Sequence, residues 1–242
     1  MAQCYRNSGS LKNGMAAQAH RTSGSFAPRL FMKGIFTLHE IHFQVIHGDI
    51  TIENGITGKN AKAHVANRID LEMKKYAYKK SDILQIVHLI DTDGAFIPMN
   101  LVKGRNQKGI QYFVDHIETG EVEFIKKRNE RKSSVVASLC ATGKMKGTIP
   151  YSIYYFSRNM EHVLHNIVVD LNDDQKQELA DAFAEKYENN PEEFITFMRS
   201  EQIAVSGSYK QTWEFIRKET NSLKRYSNLW ILFEQKNLLE KE

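Results

Sequence analysis

The chain has 242 residues, of which 41% are hydrophobic, 26% charged and 10% aromatic. That composition gives a globular protein one sizeable core and excludes collagen-like, disordered and membrane-embedded classes. The net charge of +4 is unevenly spread: residues 1–90 carry 12 Lys and Arg against 6 Asp and Glu, residues 91–169 carry 11 against 8, and residues 170–242 reverse this with 10 against 15, so a basic body suited to polyanions is joined to an acidic tail.

In chain order, residues 1–28 are rich in Ser, Gly, Asn and Ala and read as a flexible leader, because they hold too little apolar surface to offset their ordering entropy. They lack the apolar stretch of a secretory signal, and Met15 and Met32 are alternative starts. From Arg29 to Asn54 the apolar residues Leu30, Phe31, Ile35, Phe36, Ile41, Phe43, Val45, Ile50 and Ile52 alternate with polar ones as in two or three short strands. Between Ala61 and Lys80 the spacing of Ala63, Ala66, Ile69, Met73, Tyr76 and Ala77 predicts an amphipathic helix with a basic outer face.

A mostly apolar, β-branched run from Asp82 to Ile90 then predicts a buried strand ending at Asp91-Thr92-Asp93-Gly94. Residues 103–132 read as a basic insertion, a hairpin or mobile segment, followed by a short helix at 133–141. Tyr151–Phe156 is a second buried strand, and helices fill the chain after Asn159, with Asn172 a candidate N-cap and Asn190-Pro191 a further helix start. Trp213 and Trp230 lie in apolar helical patterns and are expected in the core. The expected organisation is a leader (1–28), an α/β domain (29–169) and an all-helical C-terminal region (170–242). No run reaches the roughly 20 apolar residues of a membrane helix. Cys4 and Cys140 make no disulfide framework, so a cytoplasmic setting without a membrane partner is expected.

The most informative position is the end of the first buried strand. Asp91 and Asp93, two residues apart beyond a sheet edge, lean toward the same space, and paired carboxylates suit a hard divalent cation such as Mg²⁺ or Mn²⁺. The same dipeptide pattern also makes an ordinary Asp-Gly turn. After the second strand, Glu161 falls in the first turn of a helix and shares a face with His165, a spacing compatible with metal binding or general acid/base work. Basic residues between Lys103 and Lys146, among them Lys126, Lys127 and Arg128, interleave with Tyr112 and Phe113 and suit a phosphate backbone.

The order of buried strand, Asp-x-Asp-Gly, variable stretch, strand, Ser-x-Asn, Glu and an apolar helix carrying His resembles the TOPRIM-type proteins of the RloB and AbiL abortive-infection group. The resemblance spans roughly residues 80–170 and rests on short motifs. It implies a TOPRIM-like, partly parallel α/β sheet flanked by helices, and metal-dependent cleavage of RNA or DNA in an anti-phage system. Asp91 and Asp93 then match the acidic pair, with Ser157, Asn159, Glu161 and His165 on the second motif. Asp91, Asp93 and Glu161 would hold Mg²⁺, while Ser157 and Asn159 would contact substrate. Members open with a strand leading into Glu-Gly; here Glu40, with no glycine after it, is the nearest substitute. The helical region, rich in Phe and Trp, would dock an ATPase partner or a second copy of the chain.

An apolar strand ending in Asp-x-Asp-Gly also resembles the opening motif of haloacid-dehalogenase-like phosphatases, in which Asp91 would be the nucleophile and Asp93 the acid/base. Here the motif lies a third of the way along the chain, and Ala95 stands where Thr or Val is usual. A third reading, a non-catalytic interaction subunit on the same fold, accommodates the missing Glu-Gly.

Overall fold

A computed structural model describes the backbone of residues 2–7, 41–46 and 49–237 and the side chains of residues 49–234. In chain order the elements are β1 (Ala2–Asn7), β2 (Ile41–Ile46), α1 (Ala61–Lys75), β3 (Ile83–Asp91), β4 (Val102–Gly104), β5 (Ile110–Tyr112), β6 (Ile117–Thr119), α2 (Val122–Cys140), β7 (Lys144–Met145) and β8 (Ile149–Phe156). Then come α3 (Met160–His165), α4 (Asp173–Tyr187), α5 (Pro191–Met198), α6 (Tyr209–Ile216) and α7 (Trp230–Asn237). The protein is of mixed α/β class, as composition and pattern predict.

Five strands form one sheet in the order β2-β1-β3-β8-β7. Only β3 and β8 run parallel, with Asp91 opposite Phe156. β1 pairs antiparallel with β2 on one side and β3 on the other, and β7 pairs antiparallel with β8. Both central strands are apolar on two faces because both faces are covered. Val87, Leu89, Tyr154 and Phe156 pack with Phe183, Tyr187, Phe194, Met198, Leu232 and Phe233 of the C-terminal helices. The alternate residues Ile86, Ile90, Ile153 and Tyr155 pack with Val65 and Ile69 of α1, Val136 and Leu139 of α2, and Trp213 and Ile216 of α6. Each such fully buried side chain contributes about 1.5–3 kcal/mol through removal from water. Trp213 is buried as expected, and Trp230, partly buried, donates its indole N–H to the Val205 carbonyl at 3.1 Å.

Two expectations are revised. Ala2–Asn7, placed in a leader outside the fold, is a strand hydrogen-bonded on both edges; its sequence lacks β-branched residues, so its order comes from pairing and not from propensity. The rest of the 1–28 leader, and Glu40, lie outside the described residues. The basic insertion at 103–132 is not one hairpin. Its first half forms a three-stranded sheet, β4-β6-β5, and its second half is the front of a 19-residue helix, α2. The helices after residue 170 complete the core over one sheet face, in one unit with the sheet.

Candidate functional site

The parallel pairing of β3 and β8 continues past the strand ends. The Thr92 N–H donates to the Phe156 carbonyl at 2.9 Å and the Asp93 N–H to the Arg158 carbonyl at 2.8 Å, which places the Asp-x-Asp-Gly turn beside the Ser-Arg-Asn segment. Thr92 is fully buried, and its hydroxyl joins the two by donating to the Ser222 carbonyl at 3.1 Å and accepting from the Arg158 N–H at 2.7 Å. Asp93 and Gly94 both have left-handed backbones, with φ of 49° and 64°. A Cβ on Gly94 would lie 2.5 Å from Leu223 Cδ2 at a left-handed φ, so the position strongly favours glycine.

The two aspartates, two residues apart, have opposite surroundings. Asp93 Oδ2 lies 2.5 Å from Nζ of Lys132, which also reaches Asp49 Oδ2 at 3.0 Å. Lys132 is on α2 and has no exposed surface. Burial opposes its charge, but Asp93 and Asp49 hold the ammonium ionised and raise its pKa. For Asp49, burial pushes the pKa up, but the Lys132 charge and hydrogen bonds from Thr51 outweigh it and bring the carboxyl down to about 2.

Asp91 has no hydrogen bond or ion pair for its carboxylate among the described residues. It is half-buried; loss of water, then the charge of Asp93, with smaller additions from Glu161 and Asp49 against relief from Lys132, pushes its carboxyl up to about 8. Glu161 therefore acts on Asp91 through space, and it too lacks a protein cation among the described residues.

Arginines and polar groups close the surroundings. Arg128 donates to the Asp93 carbonyl at 2.8 Å, to Asn129 Oδ1 at 2.8 Å and to the Tyr112 hydroxyl at 3.1 Å. Arg158 is 4% exposed, has a left-handed backbone, donates to the Val168 carbonyl and lies over the Tyr112 ring, 5.0 Å from its centroid. Asn159 caps α3 by accepting from the His162 N–H at 2.9 Å, which sets Glu161 in the first turn where the helix dipole favours its charge. His162 is held down to about 4 by burial, then by Arg158 and Arg225. His165 packs edge-on against Phe183 at 5.1 Å, and burial lowers its pKa.

Of the residues chosen from sequence, the fold thus brings Asp91, Asp93, Glu161, Asn159 and Arg128 to one sheet edge. The Ser157 hydroxyl is committed to backbone, donating to the Lys224 carbonyl and accepting from the Tyr226 N–H at 2.6 Å, so it anchors the chain. Lys126 pairs with Glu123 at 2.9 Å and Lys127 is exposed, while Lys132 of the same helix points inward. Sequence reasoning missed Lys132, Asp49 and Arg158. One signal was present: Ile125, Asn129, Lys132, Val136 and Leu139 follow a helical 4-3-4-3 spacing, so two polar residues occupy core positions of α2.

Among the described residues no group of three or more His, Cys, Asp and Glu is placed to hold a metal ion. Asp93, engaged by Lys132, is the member of the expected trio that this arrangement withholds. Asp91 and Glu161 are hard oxygen donors without a counter-charge of their own, and Mg²⁺ is commonly held by one or two carboxylates while keeping several waters. By donor chemistry that pair could hold the ion, whereas Asp93 is already engaged by Lys132. Among the described residues no helix is long and apolar enough to cross a membrane. Comparison of the chain with family models, curated proteins and solved structures returned no match.

Proposed function

We propose that the chain is a TOPRIM-like, divalent-cation-dependent nuclease acting on RNA or DNA, with Asp91 and Glu161 holding Mg²⁺ or Mn²⁺. The observation that carries this reading is the half-buried Asp91 carboxylate, unpaired at the end of a parallel strand pair and crowded by the charges of Asp93, Glu161 and Asp49. Such crowding is relieved by a cation, and the basic groups nearby suit a phosphate. A bound divalent ion would supply positive charge to the phosphate and activate a water. The chain's own residues do the rest. Lys132 fixes Asp93, Arg128 fixes the turn through the Asp93 carbonyl, and Asn159 aims Glu161 by capping its helix. A place in an anti-phage system, with an ATPase or second copy as partner, is supported by the resemblance alone.

Cleavage of single-stranded and duplex oligonucleotides with Mg²⁺ or Mn²⁺ tests the reading. Asp91→Asn and Glu161→Gln are each expected to lower the rate by at least about 10²-fold and to abolish the thermal stabilisation by either ion. Wild-type rates in both variants would overturn it.

A second reading, a non-catalytic interaction subunit, is favoured by one observation: Lys132 already neutralises Asp93 from within the fold. It predicts no thermal shift of the wild-type chain with Mg²⁺ or Mn²⁺. The phosphatase reading gains no such support: β1 runs antiparallel to β3, and Ala95 stands where Thr or Val is usual.

A further inference from the structure

Beside the Asp91 edge lies a cleft of about 310 Å³, lined by Arg105, Lys108, Tyr112, Arg158, Val168 and Asp170 among others. Its volume is at the lower end of the range for small-molecule pockets. Three cations face one carboxylate, so the cleft carries net positive charge. Its floor is built from Arg158, which is buried, stacked on Tyr112 and tied to the Val168 carbonyl, and whose Nε has no hydrogen-bond partner. A desolvated arginine held by a left-handed backbone is costly unless it has a use, and burial lowers its pKa despite the nearby Asp170. Val168 and Val169 on the rim are 57% and 64% exposed, unusual for valine and suited to the face of a base. The cleft joins the carboxylate edge directly: the Arg158 carbonyl accepts from the Asp93 N–H, and Arg128 bridges the Tyr112 hydroxyl to the Asp93 carbonyl.

We propose that this cleft binds a nucleotide unit, its phosphate met by Arg105, Lys108 and Arg158 and its base lying along Val168 and Val169. The proposal deepens the nuclease reading by naming where the nucleotide next to the reacting phosphate is held. The shared chemistry, a nucleoside phosphate, occurs in single-stranded nucleic acid and in free nucleotides, and the experiment separates the two sources.

Binding of fluorescein-labelled single-stranded RNA and DNA oligonucleotides, and of unlabelled uridine and adenosine monophosphates as competitors, would be measured by anisotropy with the full chain in excess chelator, where cleavage cannot contribute. Arg105→Ala/Lys108→Ala is expected to weaken oligonucleotide binding by about tenfold or more and to reduce the slope of log K against log salt by about 1.4. Lys59→Ala/Lys62→Ala, an equal charge change at two exposed positions on and beside α1, is expected to alter binding by less than about twofold. Arg158→Lys keeps the charge but loses the planar stack, and is expected to weaken binding while circular dichroism stays native. Val168→Asp adds a charge at the rim without touching the buried floor and is expected to weaken binding as well. Equal loss in the α1 pair, or wild-type binding in both Arg105→Ala/Lys108→Ala and Val168→Asp, would overturn the cleft as the site. Binding of the monophosphates in isothermal titration calorimetry, lost in Arg105→Ala/Lys108→Ala, with no oligonucleotide binding by anisotropy would keep the cleft and overturn nucleic acid as its source. Cleavage that persists unchanged in the Arg105→Ala/Lys108→Ala protein would leave the nuclease reading standing and remove only the cleft.

Discussion

Helices α2 and α4 each turn one face to the interior, but they fill it with different chemistry. α4 buries Ala180, Phe183, Ala184 and Tyr187, and Phe183 meets Tyr187, Phe194 and Phe197 with ring centroids 4.9, 6.1 and 6.0 Å apart. α2 buries Ile125, Val135, Val136 and Leu139 but sets Asn129 and Lys132 in the same stripe. The Asn129 amide nitrogen has no hydrogen-bond partner. Apolar groups would be the more stable choice for those positions. The difference teaches that α4 turns a purely apolar stripe to the core, whereas α2 gives two core positions to polar groups, one of which, Lys132, holds Asp49 and Asp93 beside the Asp91 edge.

The largest effect expected on either side of this contrast is from Phe183→Ala, which should cost about 3–5 kcal/mol in denaturant unfolding by opening a cavity among four rings. Oligonucleotide affinity of the folded fraction should be unchanged; a specific loss of affinity would mean that α4 also serves the site. Lys132→Met should cost about 3 kcal/mol, because Asp49 and Asp93 lose their shared cation. Adding Asp49→Asn and Asp93→Asn should recover most of that loss. A Lys132→Met protein as stable as the wild type would erase the contrast.

Asp91→Asn should stabilise the protein by about 1–2 kcal/mol at pH 8. The sign follows from a folded pKa of about 8, well above the ordinary carboxylate value of 3.8. The stability supplied by the protonated form is full below the unfolded pKa and is lost as pH rises through about 8. Unfolding midpoints between pH 5 and 9 should fall in the wild type and flatten in Asp91→Asn; parallel curves would reject this assignment. Asp49 has the opposite sign. Its contribution is present above pH 3.8 and is lost as pH falls toward about 2, so Asp49→Asn should remove that part of the acid transition. Smallest is Lys126→Ala, expected within about 0.5 kcal/mol because its pair with Glu123 is exposed.

These contrasts also explain what was legible beforehand. β3 and β8 announced themselves by mostly apolar runs, and α4 by its spacing and its Asn172 cap, which closes a capping box with Gln175. The Asp-x-Asp-Gly turn and the Asn159 cap were visible for the same reason, since each is chemistry confined to a few neighbouring residues. α2 was hidden because Asn129 and Lys132 interrupt the apolar stripe that identifies a helix, and Lys132 is the residue that holds Asp49 and Asp93. Asp49 and Lys132 are 83 positions apart in sequence, and no local pattern pairs them. Arg158 looked like the variable middle of a motif; only the fold shows it buried.

The turn at residues 221–226 braces both strand ends. Its carbonyl groups receive the Thr92 hydroxyl, the Arg158 N–H and the Ser157 hydroxyl, and Leu223 closes over Gly94. A ribosome releases both strands and α2 well before it releases that turn. The nascent chain therefore carries every carboxylate of the edge yet lacks the backbone that seats them. Assembly of the edge thus waits until synthesis has passed residue 226, so the carboxylates come into register only well after the strands that carry them have been made.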